Sequence, residues 1–131
     1  MVKALKSKPF NYQAARAFLD RKLAREAQEN ERLWRRARRD FKKILALIVT
    51  KYRPTRIYQW GSLLDKDHFN ERSDLDIAVE GVKSAKDFFA IYGDADALTG
   101  FPLDLVELDK IHPLHAESIR KNGRLVYERP S

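Results

Sequence analysis

Between Tyr12 and Tyr52 the chain has neither glycine nor proline, and its apolar residues recur at three- and four-residue steps. That spacing predicts one amphipathic helix, or two in succession. In the second half the stripe is wide: Trp34, Ala37, Phe41, Leu45, Ile48 and Tyr52, flanked by Ile44 and Leu47. Arg35, Arg36, Arg38, Arg39, Lys42 and Lys43 fill the other faces, by default as a solvated surface. In the first half the stripe thins to Ala15, Leu19, Leu23 and Ala27, with Asn11 as the expected N-cap and residues 1–10 as a basic tail. The segment Gln28–Arg32 is polar throughout and is a candidate break. A straight helix of this length would run ~60 Å at 1.5 Å per residue, twice the ~30 Å diameter of a domain this size. The helix is therefore expected to protrude or to fold back near Asn30.

After Pro54 the period changes to two. Arg56–Trp60 reads as a short strand, and Asp74–Glu80 as a second, with Leu75, Ile77 and Val79 alternating against Asp74, Asp76, Ala78 and Glu80. Ser84 is placed to cap a helix from about Ala85 to Leu98, interrupted by Gly93. Leu103–Leu108 is a third strand, His112–Asn122 a short helix closed by Gly123, and Arg124–Glu128 a last strand. The order predicts an α+β fold of two layers, a short mixed β-sheet packed against helices and preceded by a long basic N-terminal helix. Residues 1–32 are read as a helical extension and residues 33–131 as the domain proper. Trp34 and Trp60 are expected in the core.

Chemistry concentrates between Gly61 and Glu80. An apolar strand ends in Gly61-Ser62, an eleven-residue polar loop follows, and Asp74 and Asp76 then project from one face of the next strand. Two carboxylates that close repel each other, and a shared divalent cation is the usual relief. A Gly-Ser turn offers backbone N–H groups and a hydroxyl suited to phosphate oxygens. Together they imply a site for a nucleoside triphosphate with its metal.

The net charge of +7 hides an asymmetry. Residues 1–56 carry 17 Lys/Arg against 5 Asp/Glu, net +12, and residues 57–131 carry 9 against 14, net −5. The basic half suits an acidic partner, nucleic acid or protein, and the acidic half suits cations. The chain has no cysteine, which excludes disulfides and thiolate metal sites and is compatible with a reducing cytoplasm, the expected location. No apolar run reaches the ~18 residues of a membrane helix. The pair His112/His115 lacks further histidines and has Pro113 between them, so zinc is not expected, and His68 is expected to be solvated.

The combination of Gly61-Ser62, the spacer Leu63–Ser73, Asp74-Leu75-Asp76 and a later acidic strand, Phe101-Pro102-Leu103-Asp104-Leu105-Val106-Glu107-Leu108, resembles the nucleotidyltransferase superfamily that includes DNA polymerase β. Over roughly residues 41–128 it is most similar to the minimal nucleotidyltransferases, single-domain proteins often paired with HEPN-type toxins. The resemblance implies the nucleotidyltransferase fold, ATP as substrate, and two magnesium ions held by Asp74, Asp76 and Asp104. It also implies phosphate binding at Gly61 and Ser62, and AMP transfer to a hydroxyl of a partner protein, with the chain as antitoxin to a HEPN-type toxin. Asp104 competes with Glu107 and Asp109 for the role of third carboxylate. Where the family has an Arg-rich segment with a second glycine after Gly-Ser, this chain has Leu63-Leu64-Asp65-Lys66. Lys66 and Arg72 are the available substitutes for the missing arginine, which implies a weaker hold on the triphosphate.

A reading of another class competes: a catalytically weak module that neutralises a partner, or less readily binds RNA, through the basic helix. Against RNA, that helix lacks the interleaved aromatics of a stacking surface. Its apolar stripe also allows an oligomer.

Overall fold

The computed structural model describes residues 9–131; the tail expected over residues 1–10 lies, apart from Pro9 and Phe10, outside the described residues. The long periodic segment is a single helix, α1, Tyr12–Lys51. Asn11 caps it, its side-chain oxygen accepting from the Ala14 N–H at 3.0 Å. The break expected at Gln28–Arg32 does not occur. A polar run is not a helix breaker when its residues are good helix formers, and here Glu29–Arg32 and Glu31–Arg35 pair along the helix. The helix ends where Arg53 adopts a left-handed conformation, φ 49°, ahead of Pro54.

Four strands follow: β1 Arg56–Trp60, β2 Leu75–Glu80, β3 Leu103–Glu107 and β4 Arg124–Glu128. They form one sheet in the order β3-β2-β1-β4. β2 and β3 run parallel, joined through helix α2, Ala85–Asp96, and the other pairs are antiparallel. The fold is the α+β arrangement with a mixed sheet that the patterning predicts.

The period-2 alternation assigns the faces. Ile57, Leu75, Ile77, Val79 and Leu105 meet Ala37, Phe41, Ile44 and Ile48 of α1 and Ile91 and Ala95 of α2 in the main core. The opposite face carries a smaller cluster, Tyr58, Ala78 and Leu108, covered by Ala116 and Ile119 of helix α3, Pro113–Asn122. So α3 lies over part of the second face and leaves the rest open. His112 caps α3, its Nδ1 accepting from the Leu114 N–H at 3.1 Å.

Two expectations change on inspection. The polar loop is two short 3₁₀ turns, Gly61–Leu64 and Lys66–His68, pinned by buried Leu63 and by Phe69, which is 1% exposed and packs edge-on against Phe101. Gly123 is extended, φ −82° and ψ −176°, not the left-handed helix terminator. A Cβ there would lie 2.5 Å from the Ile119 carbonyl at the end of α3 itself and 3.0 Å from that of Gln59 in β1, so the helix end, with β1 behind it, leaves room only for glycine.

Gly93 lies within α2 with nothing within 4 Å of where its Cβ would be. It carries the entropic cost of a helical glycine without a steric reason. Gly93→Ala is expected to raise the unfolding free energy by about 0.5–1 kcal/mol, measured by chemical denaturation.

Candidate functional site

β1 ends at Trp60, and Gly61 turns the chain with φ 79°. Its Cα lies against the carboxylate of Asp76: a Cβ at position 61 would be 1.9 Å from Asp76 Oδ2. Glycine is required here twice over, for the left-handed backbone and for the space. In register, Asp76 stands opposite Trp60 on the antiparallel side and opposite Asp104 on the parallel side. Neighbours in register share a face, so Asp104 and Asp76 point to the same side of the sheet. It is the side away from α1, shared with Val106 and Leu108. Glu107, by alternation, belongs to the other face, and Asp109 accepts from the Gly81 N–H at 2.9 Å, at the far end of β2. Register thus places Asp104, alone of the three acids of the segment, beside Asp76.

Asp74 sits one residue ahead of β2 rather than within it, and is half-buried. Asp76 is 9% exposed. Burial, then the charges of Asp104 and Asp74 and a hydrogen bond shared with Asp104, push its carboxyl up to about 7. None of the ion pairs among the described residues includes Asp74, Asp76 or Asp104. Nor do three acidic or histidine side chains there converge into a ready-made metal cage. The site is a carboxylate pair in contact, with a third carboxylate close enough to act on it electrostatically. Such an arrangement fits a divalent cation, because a hard cation is what oxygen ligands with uncompensated charge bind.

The remaining expected residues are distributed differently. Ser62 follows Gly61 in the 3₁₀ turn, half-buried. Lys66 is held by Glu31 of α1 at 3.0 Å and lies over the ring of Trp34. Arg72 lines a recess with Glu26 and Glu29 of α1. The structure therefore brings Gly61, Asp74, Asp76 and Asp104 together and keeps Lys66 and Arg72 on the α1 side. His68 is exposed and paired with Asp65. Trp34 packs at the margin of the core and donates its indole N–H to the Leu63 carbonyl at 3.0 Å, holding the loop in place.

Trp60 is the residue that sequence reasoning misplaced. It is half-buried on the carboxylate face, beside Asp76, and meets His115 of α3 edge-on with 5.7 Å between centroids. Its indole Nε1 is buried without a partner. The alternation Arg56, Tyr58, Trp60 carried the signal, but which face it signified depended on the register with β2.

The glycine turn at Gly61 thus packs on the Asp76 carboxylate, beside the register-matched Asp104 on a mixed sheet. The chain belongs to the family described as polymerase beta, nucleotidyltransferase, which matches residues 42–131. No curated protein matches it. Among solved structures it is similar to a chain of the toxin–antitoxin MntA–HepT, with a TM-score of 0.54 and 18% identity over 70% of this chain and 72% of that one. A mutant form of that toxin–antitoxin gives 0.55 and 19% over 66% and 71%. A toxin–antitoxin with AMP-PNP gives 0.54 and 18% over 66% and 72%. At these identities the likeness is one of fold.

The sign of the Asp76 shift makes a pH prediction. A carboxyl raised in the folded state keeps its proton while the unfolded chain loses it, so stability falls as pH rises from the usual carboxylate range to about 7. In metal-free protein, Asp76→Asn should match the unsubstituted chain below pH 4 and become the more stable of the two by pH 8. Denaturation midpoints across that range test it, and parallel curves would contradict it.

Proposed function

We propose that this chain is a magnesium-dependent nucleotidyltransferase that moves AMP from ATP to a hydroxyl of a partner protein, and that it serves as the antitoxin of a HEPN-type toxin. One observation carries the catalytic part: Asp76 in contact with Asp104 and with the Cα of Gly61, and Asp74 within electrostatic reach. Family membership supports the reaction class. The fold likeness to toxin–antitoxin structures, one of them with AMP-PNP, supports the partner and the nucleotide.

In this reading Asp74, Asp76 and Asp104 would hold magnesium, which would supply charge neutralisation for the triphosphate. Gly61 and Ser62 receive the β- and γ-phosphates through backbone N–H groups and the Ser62 hydroxyl. Lys66 and Arg72 are the loop's cations for the outer phosphates, and Lys66 must exchange Glu31 for a phosphate oxygen to serve. Trp60, with its partnerless N–H, forms the wall beside the carboxylates. The acceptor oxygen bonds to the α-phosphorus, the bond from that phosphorus to the bridging oxygen breaks, and pyrophosphate leaves. Asp104 takes the acceptor's proton. Asp76 must be ionised to act, and its raised proton affinity predicts that activity rises with pH toward neutrality.

The test is transfer of label from α-labelled ATP, with magnesium, to a co-expressed partner protein. Asp74→Asn and Asp76→Asn are each expected to lower the labelling rate by about 100-fold or more, the scale on which loss of a preorganised electrostatic group acts. Gly61→Ala should do the same through the Asp76 contact. Undiminished labelling in both aspartate variants would remove the assignment.

A further inference from the structure

Helix α1 has one apolar face and two environments. At 100° per residue, Tyr12, Arg16, Leu19, Leu23, Glu26 and Asn30 fall on the same face as Ala37, Phe41, Ile44 and Ile48. The second set is buried in the core. The first runs past the end of the sheet that carries Gly61 and Asp76, along an arm ~27 Å long at 1.5 Å per residue. There Tyr12 is 77% exposed, Leu19 51% and Leu23 53%, and every residue from Tyr12 to Glu29 is exposed. The family match begins at residue 42, so the arm lies outside it.

We propose that the arm's occupant is a second copy of this chain, paired antiparallel about a two-fold axis at the level of Arg21. The arm's face is self-complementary. In a heptad seam written a and d, Arg16, Leu23 and Asn30 take one position and Tyr12, Leu19 and Glu26 the other. Antiparallel helices set a against d. A two-fold axis at residue 21 then pairs Leu19 with Leu23, Arg16 with Glu26, and Tyr12 with Asn30 of the second copy, each twice over. One layer is apolar, one joins opposite charges, and one sets a phenol against an amide. Such a patch, matched to itself, is what an isologous interface requires.

Arg16 and Glu26 are free to serve it. Arg16 has only a 4.0 Å contact to Asp20 within the arm, and Glu26 joins no ion pair among those of the described residues. The flanking Asp20 and Lys22 meet their own counterparts at the solvent edge, where like charges are screened. The arm carries 4 Lys/Arg and 3 Asp/Glu over residues 12–29, a balance that suits its own copy better than a strongly acidic partner.

The pairing also fills space the single chain leaves open. A recess of about 380 Å³ lies where the arm joins the domain, between Leu23, Glu26, Ala27, Asn30 and Glu31 on the helix and Lys66 and Asp67 on the loop. The two-fold axis delivers Tyr12 of the second copy to Asn30, at this recess, with Phe10 stacked edge-on upon it at 4.7 Å. Each copy thereby closes the loop that follows the other's Gly61-Ser62.

The experiment measures molecular mass in solution by light scattering on the full chain. The chain is expected to be a dimer at micromolar concentration, and Arg16→Glu or Glu26→Arg alone to be monomeric with unchanged helical content. The double reversal Arg16→Glu/Glu26→Arg should dimerise again. Because the chain has no cysteine, orientation can be read separately: an equimolar mixture of Arg16→Cys and Glu26→Cys should form the mixed disulfide, and neither variant alone should cross-link. A chain that stays monomeric throughout overturns the proposal. So does cross-linking of Arg16→Cys to itself, which means parallel pairing. So does an arm reversal that weakens capture of the partner toxin while the free chain remains monomeric, which assigns the arm to that partner. None of these outcomes depends on nucleotidyl transfer.

Discussion

A carboxylate that the fold keeps at a disadvantage is the constraint around which this structure is arranged. Asp76 is buried, faces Asp104 in register, has Asp74 within electrostatic reach, and rests on the Cα of Gly61. No cationic side chain of the described residues relieves it. Left to itself, such a group would turn outward or stay protonated. It is held by its place in the second strand, which is paired on both sides and buried on its other face by Leu75, Ile77 and Val79. The hydrophobic core therefore sustains a charge arrangement that a retained proton or a bound cation would relieve.

The scaffold makes the rest of the site follow from that strand. The parallel pairing of β2 and β3, with α2 between them in sequence, brings together residues 28 positions apart, Asp76 and Asp104. The turn after β1 reaches Asp76 because β1 is its antiparallel neighbour, and the loop beyond is tied down by Leu63, Phe69 and the Trp34 hydrogen bond. Helix α3 covers Tyr58 and Ala78 and reaches Trp60, the register neighbour of Asp76, through His115.

α1 repeats this division along its own length. One apolar stripe is core where it crosses the sheet and surface where it passes beyond. The two halves differ in composition as well. The buried half has Phe41, Ile44 and Ile48, whereas the exposed half alternates leucine with arginine, glutamate and asparagine. That mixture favours a contact specified by charge and register over one driven by burial alone.

Periodicity, capping residues and breakers are local properties, and they determined the elements of this protein. The long helix with its Asn11 cap, the strands at Arg56–Trp60 and Arg124–Glu128, and the Ser84-capped helix all stand where the pattern put them. The pairing of Gly61-Ser62 with Asp74 and Asp76 was legible for the same reason, since a turn and one alternating strand lie close together along the chain. What lay beyond the sequence was everything set by how distant segments pair: the register that puts Asp104 on the face of Asp76 and Glu107 off it, the place of Trp60 beside the carboxylates, and the hold of α1 on Lys66. A strand's alternation says that two faces exist, but only hydrogen-bonded register with its neighbours says which residues share one.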